Sequence, residues 1–189
     1  MRVISGTARG SKLNTIESTS TRPTLDRVKE SLFNILQNDI KDKVVLDLFA
    51  GSGALGIETL SRGAKYAWFC DNNPDAIQVI KQNIVKTHFE DKSEVINKDY
   101  SRCLQILLSN IEKGEDKLGL VFIDPPYKAD IAVKSVKFIV DNKMMNEDGI
   151  IVIETDEAER DLEELSKIDS IKITDQRKYG RANLIFIGV

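Results

Sequence analysis

The sequence predicts an α/β fold whose sheet is mostly parallel and covered on both faces. Short apolar runs, Val44-Val45-Leu46 and Leu120-Val121-Phe122-Ile123, read as buried parallel strands. From residue 43 onward, strand-like runs alternate with stretches of helical periodicity. Glycine-rich or acidic residues follow these runs, at the strand ends where open α/β sheets collect ligands. With 189 residues, 41% of them hydrophobic and 30% charged, the expectation is one domain spanning residues 1–189.

Each element has a local reason. Residues 1–22 form a basic N-terminal arm, in which Val3-Ile4 and Leu13 to Ile16 pair as a β-hairpin across Gly6 to Gly10. The polar stretch Ser18-Thr19-Ser20-Thr21 separates the arm from the core, and Arg22-Pro23-Thr24 stops it. Thr24 is placed to cap a helix through Leu36 with Leu25, Val28, Leu32, Phe33 and Leu36 on one face. A strand at 43–48 leads through glycines into a helix from Ala54 to Arg62, which Gly63 ends. A strand over 65–70 stops at Asp71, and Pro74 opens a helix to about Lys86. Then come a strand at 93–96, Asp99-Tyr100, a helix over 101–112 and a strand at 118–123. Helices from Asp130 to Asn142 and Glu157 to Leu165 flank a strand at 149–154. Ile168 to Thr174 and Leu184 to Val189 close the chain as an antiparallel hairpin at the sheet edge, joined by a basic turn containing Gly180.

Composition excludes several classes. No apolar run approaches the ~20 residues that span a bilayer, and the first residues lack a signal-peptide core, so no membrane partner is expected. Two cysteines, Cys70 and Cys103, with no pairing signal point to a reduced, cytoplasmic protein and to buried packing. A single histidine, His88, argues against a His-rich metal site, and no metal is expected. Net charge is −3, yet residues 1–30 carry six basic residues (Arg2, Arg9, Lys12, Arg22, Arg27, Lys29) against three acids. A second basic cluster is Arg177-Lys178-Tyr179-Gly180-Arg181. Such patches suit phosphate contacts or are ordinary solvated charge.

Gly51-Ser52-Gly53-Ala54-Leu55-Gly56 matches G-x-G-x-x-G, and Asp71 follows Gly51 by 20 residues, as in a dinucleotide oxidoreductase. Asp47, four residues before Gly51, opposes that reading. A carboxylate there repels a pyrophosphate and suits the ammonium of a methionyl group. The chain also lacks room for a separate substrate domain. The set is instead that of S-adenosylmethionine. Asp47 is assigned to the methionine amino group, directly or through water. Asp71 is assigned to the ribose hydroxyls, and Asp99 with Tyr100 to the adenine. Gly51 and Gly53 allow close backbone approach, and Phe49 and Asn72 complete the cofactor set.

Asp124-Pro125-Pro126-Tyr127 follows the strand at 118–123. An exocyclic base amine is a poor nucleophile because its lone pair is delocalised into the ring. Asp124 and the Pro125 carbonyl are suited to hold the amino hydrogens so that the lone pair turns toward the methyl carbon. Pro125 and Pro126 stiffen the loop through their fixed φ. Tyr127 offers a face on which an unstacked base gains ~1–3 kcal/mol. No Pro-Cys pair is present, which disfavours methylation at pyrimidine carbon 5.

The chain resembles the RsmD-type methyltransferases over essentially its whole length. The resemblance rests on Arg2-Val3-Ile4-Ser5-Gly6, Arg9-Gly10, Lys12-Leu13, Arg22-Pro23-Thr24, Arg27-Val28-Lys29-Glu30-Ser31-Leu32-Phe33-Asn34 and the two loop motifs. It implies a Rossmann-like class I methyltransferase sheet. The implied reaction is methylation of guanine N2 in 16S rRNA with S-adenosylmethionine, leaving S-adenosylhomocysteine. The implied partner is the small ribosomal subunit or its assembly intermediate, and a monomer is expected. It also implies that the arm contacts RNA and helps cover the cofactor, with Arg2, Arg9, Lys12, Arg22 and Arg27 as the expected RNA contacts. Two alternatives stand beside it. One is an adenine-N6 or cytosine-N4 amino methyltransferase, and the other a non-catalytic RNA-binding assembly factor of the same fold.

Overall fold

The computed structural model describes residues 1–16, 23–125 and 130–189, the side chains of residues 23–26 excepted. Among the described residues, seven strands form one sheet: β1 (Val44–Asp47), β2 (Tyr66–Asp71), β3 (Ser93–Asn97), β4 (Leu118–Ile123), β5 (Met145–Thr155), β6 (Lys172–Tyr179) and β7 (Ala182–Gly188). Their order is β3-β2-β1-β4-β5-β7-β6. The first five are mutually parallel, whereas β7 runs antiparallel to both β5 and β6. The helices are α1 (Pro23–Ile35), α2 (Ala54–Ser61), α3 (Pro74–Thr87), α4 (Tyr100–Glu112), α5 (Asp130–Asp141) and α6 (Ala158–Leu165).

The strands are apolar on both faces because both are covered. Phe69, Phe122, Val152 and Phe186 meet Val28, Leu32 and Phe33 of α1, Ile57 of α2 and Ile80 of α3. On the other face Leu46, Val121, Ile123 and Ile153 meet Leu104 of α4, Val136 of α5 and Leu165 of α6. Phe33, Phe69 and Phe122 are fully buried, and side chains of this size each contribute roughly 1.5–3 kcal/mol.

The caps explain the helix starts nearest the ligand end of the sheet. Gly53, at φ 76°, turns the chain from β1 into α2. The Asn73 side chain accepts from the Asp75 N–H ahead of Pro74. The Asp99 carboxylate accepts from the Arg102 N–H at 3.1 Å and starts α4. His88 is exposed and takes the left-handed cap position after α3. Cys70 and Cys103 are buried free thiols, as packing residues are.

Three expectations shift. The two legs of the arm pair as a hairpin through one antiparallel bridge, Arg2 to Lys12, and backbone bonds from Val3 to Ser11, Gly10 to Val3 and Leu13 to Met1, too short a ladder to make two strands. Val3 and Leu13 leave the solvent for the core, which draws both legs onto the protein. The penultimate strand lies at Lys172–Tyr179 rather than over 168–174, so Arg177, Lys178 and Tyr179 are strand residues and only Gly180-Arg181 turns. An edge strand with one neighbour needs little apolar sequence, and the isoleucines at 168 and 171 pack beneath it instead. β5 begins at Met145 and reaches Ile150 through a break in register. Thr24, expected as a cap, lies among the side chains that are not described, although the helix it was to open starts at Pro23.

Candidate active site

Five acidic residues stand at the carboxyl ends of five adjacent strands. In sheet order they are Asp99 just beyond β3, Asp71 on β2, Asp47 on β1, Asp124 just beyond β4 and Glu154 on β5. Parallel pairing brings these strand ends together, because every crossover returns the chain to the other end of the sheet before the next strand begins.

The glycine loop is pinned at several points. Ala50 N–H donates to the Cys70 carbonyl (2.9 Å) and Leu48 N–H to the Phe122 carbonyl (3.1 Å), fixing the loop to β2 and β4. Gly51 lies at φ 54° and Gly53 at φ 76°, in the left-handed region that a side chain disfavours. Gly51 N–H donates to Asp71 Oδ2 at 2.9 Å, and Asn73 N–H donates to Oδ1 of the same carboxylate at 2.8 Å. Asp71 is therefore oriented by two amides before any ligand arrives. Asn72 beside it is exposed. Phe49, just beyond β1, and Tyr100, the first residue of α4, stand with ring centroids 5.9 Å apart at a tilt of 36°.

Asp47 is 3% exposed and accepts from the Gly56 N–H at 3.0 Å. Burial pushes its carboxyl up to about 7, against the Gly56 hydrogen bond and Lys29, with Asp71 adding to the rise. Asp124 is exposed. Desolvation by the crowded strand ends, then the charges of Glu154 and Asp47, push its carboxyl up to about 8. Its exposure lets water offset part of the desolvation, so the neighbouring charges are the cause that the strand positions directly support. Burial also raises Glu154.

Pro125 is half-buried beside Asp124, whereas Pro126 and Tyr127, the other two members of the expected catalytic loop, lie outside the described residues. Of the basic residues assigned to RNA, Arg2, Arg9, Lys12 and Arg27 are exposed, and Arg22 lies outside the described residues. Among the described residues there is no cluster of metal-ligating side chains, and no helix is long and apolar enough to cross a membrane.

Four side chains that sequence patterning does not single out tie the arm to this site. Glu58 on α2 is fully buried and accepts from the N–H groups of Ile4 (2.8 Å) and Ser5 (3.0 Å). Lys29 Nζ on α1 (3.0 Å) and Arg62 Nε (2.8 Å) complete its partners. Burial opposes ionisation there, but Lys29, the Ile4 amide and Arg62 together hold the carboxyl below its ordinary value. Lys29 also donates to the Arg2 carbonyl at 3.1 Å. Asn83 on α3 accepts from Asn14 N–H (2.7 Å) and donates to the carbonyls of Asn14 and Ser52 (both 2.9 Å), joining the arm to the glycine loop. The arm tip is anchored at the far end of α2, where Thr7 N–H donates to the Ser61 carbonyl and Ala8 N–H to Ser61 Oγ. A shallow groove lined by Ser5, Thr7, Gln37 and Arg62 lies at that far end, away from the acids. Glu154 was also missed, although it closes the run Ile150 to Ile153 much as Asp124 follows Ile123.

The family model described as Conserved hypothetical protein 95 matches residues 1–188. YlbH of Bacillus subtilis is 39% identical over 180 residues, which is 95% of this chain and 94% of that protein. Ribosomal RNA small subunit methyltransferase D of Haemophilus influenzae is 35% identical over 157 residues, covering 82% of this chain and 79% of that one. Among solved structures, yhhF from Escherichia coli superposes with a TM-score of 0.77 at 27% identity, covering 99% of this chain and 96% of its own.

Proposed function

The chain belongs to the Conserved hypothetical protein 95 family, the RsmD-type methyltransferases, and on that premise we propose that it transfers a methyl group from S-adenosylmethionine to the exocyclic N2 of a guanine in 16S rRNA. The observation that carries this proposal is the row of strand-end acids beside a glycine loop in left-handed conformation. The residues fit the cofactor. A Cβ at Gly51 would meet open space rather than protein, so the loop leaves room beside it. Asp71 is pre-oriented for vicinal hydroxyls by two amides, Asp47 lies beneath the loop for the methionyl ammonium, and the tilted rings of Phe49 and Tyr100 suit an adenine. Charge-assisted hydrogen bonds of this kind are each worth roughly 1.5–3 kcal/mol. When bound, S-adenosylmethionine supplies an electrophilic methyl carbon on a sulfonium.

The chain's own residues then align the amine. Asp124 and the Pro125 carbonyl accept the amino hydrogens and turn the nitrogen lone pair out of conjugation. Alignment of this kind is worth up to ~7–11 kcal/mol of barrier. Pro126 and Tyr127 are assigned to stiffening the loop and stacking the base. The partner is 16S rRNA in the small subunit or its assembly intermediate, read by a monomer in the cytoplasm.

Methyl incorporation from labelled cofactor into small-subunit RNA and into duplex DNA, followed by mass mapping of the product, tests the assignment. Modified guanine in RNA is expected, and methylated adenine or cytosine in DNA would replace it. Asp124→Ala should abolish transfer while S-adenosylhomocysteine binding persists by calorimetry. Normal turnover in that variant removes Asp124 from the reaction.

A further inference from the structure

Glu154 has no part in the site as assigned so far, yet the sheet sets it beside the proposed amine-positioning carboxylate. β4 and β5 are parallel, and their last registered pair is Ile123 with Ile153. Asp124 and Glu154 are each the next residue, so they stand side by side on adjacent strands, whose backbones lie about 4.8 Å apart. Side chains alternate between faces. Phe122 and Val152, two residues earlier, both enter the core under α1, α2 and α3. Asp124 and Glu154 therefore open on that same face, toward the arm and α1 and away from α4, α5 and α6. Asp47, registered with Phe122, shares the face one strand further on.

We propose that Glu154 acts on methyl transfer through Asp124: its carboxylate, one strand over and on the same face, keeps Asp124 a strong enough base to take the proton that the methylated amine sheds. This rests on the function proposed above. The step balances. As the bond from N2 to the methyl carbon forms, the carbon–sulfur bond breaks and its electron pair stays on sulfur. N2 then releases one hydrogen as a proton to the Asp124 carboxylate, which becomes a neutral acid and later passes that proton to water. Glu154 touches no reacting atom and is a positioning residue in the electrostatic sense.

Among the described residues, the charged groups that face this pair from the neighbouring elements are other carboxylates or cations that already have partners. On the β1 side the facing group is another carboxylate, Asp47. On the β7 side Glu154 is registered with Leu184, which is apolar and buried. Beyond Leu184, β6 contributes Arg177, whose guanidinium pairs with Asp175. From α1 comes Lys29, committed to Glu58 and to the Arg2 carbonyl. From α2 come Glu58 and Arg62, paired with each other. Two carboxylates in such proximity resist simultaneous ionisation, so the second to ionise becomes more basic. Burial raises Glu154, and its charge in turn raises Asp124.

Single-turnover methyl transfer to small-subunit RNA, measured from acid to alkaline pH with cofactor and RNA saturating, tests the proposal. Activity requires ionised Asp124, so the acid limb of the wild type should lie well above the ordinary carboxylate range. Glu154→Gln removes the neighbouring charge. The limb should then move to lower pH by about one unit or more, and the plateau rate should fall several-fold, with unchanged affinity for S-adenosylhomocysteine. Glu154→Asp keeps the charge and should keep the limb near its wild-type position. A Glu154→Gln limb that coincides with that of the wild type overturns the proposal while leaving the methyltransferase assignment intact. A wild type that does not methylate RNA overturns both. If Glu154→Gln does not fold, carbon-13 titration of the Asp124 carboxyl in the wild type decides. An Asp124 titration that is one step and independent of Glu154 overturns the proposal, and an Asp124 resonance that also shifts as Glu154 ionises supports it.

Discussion

Asp47, the residue proposed for the methionyl ammonium, is a buried carboxylate that costs the fold stability. Burial lets the folded protein hold the Asp47 proton up to about pH 7, well above the ordinary carboxylate range of about 4. Between those values the folded state binds more protons than the unfolded one, so this group's contribution falls as pH rises through that window and stays low above it. Asp47→Asn keeps an oxygen for the Gly56 N–H and removes the charge. The apo variant should be more stable than the wild type at pH 8 by roughly 2–4 kcal/mol, with the advantage shrinking toward pH 4. Its affinity for S-adenosylhomocysteine should drop at least tenfold. Thermal melts at several pH values and calorimetry check both. A stability difference that ignores pH would mean that charge burial is not the cause. The acid itself was legible, because Asp47 follows an apolar run and precedes two glycines. Its burial was not, since the Gly56 amide that draws it under the loop lies on the next helix.

At the scale of elements, α2 does two jobs from opposite ends. Its start carries the glycine loop, and its far end anchors the arm. Gly6, at φ 83°, is where the arm crosses that anchor, and a Cβ there would stand 1.7 Å from the Ser61 carbonyl oxygen. Gly6→Ala should lift the tip, break the hydrogen bonds from Thr7 and Ala8, and cost about 2–4 kcal/mol. Limited proteolysis in the arm should become faster than in the wild type, and the melting temperature should fall; an unchanged melt would mean that the tip adds nothing. The alternating strands and helices were legible because each follows from local periodicity and a nearby breaker. The anchoring was not. Glu58 meets Ile4 across 54 positions of chain and Asn83 meets Asn14 across 69, both through backbone amides that carry no side-chain signature. The β6 edge strand escaped for a related reason. Its residues are mostly exposed, so hydrogen bonds to β7, rather than an apolar pattern, define it.

Over the whole molecule, an acidic chain presents a basic arm. Arg2 and Lys12 are bridge partners, with Arg9 exposed at the tip. Because the arm is strapped along α2, these charges are held in place rather than swept through solvent. Arg9→Ala with Lys12→Ala should weaken RNA binding and flatten its dependence on salt by about 1–2 in the log–log slope, roughly 0.7–0.9 for each lost phosphate contact. Binding measured from low to moderate salt checks this, and an unaltered slope removes the arm from the RNA surface.

β7 is the last of the seven strands to be synthesised, yet it lies inside the sheet, between β5 and β6, with five consecutive buried residues. A nascent chain emerging from the ribosome must therefore hold β5 with one flank unsatisfied until that segment is free. Neither core can close before then. The Glu154 end of β5 is therefore fixed in place only once β7 has docked along it.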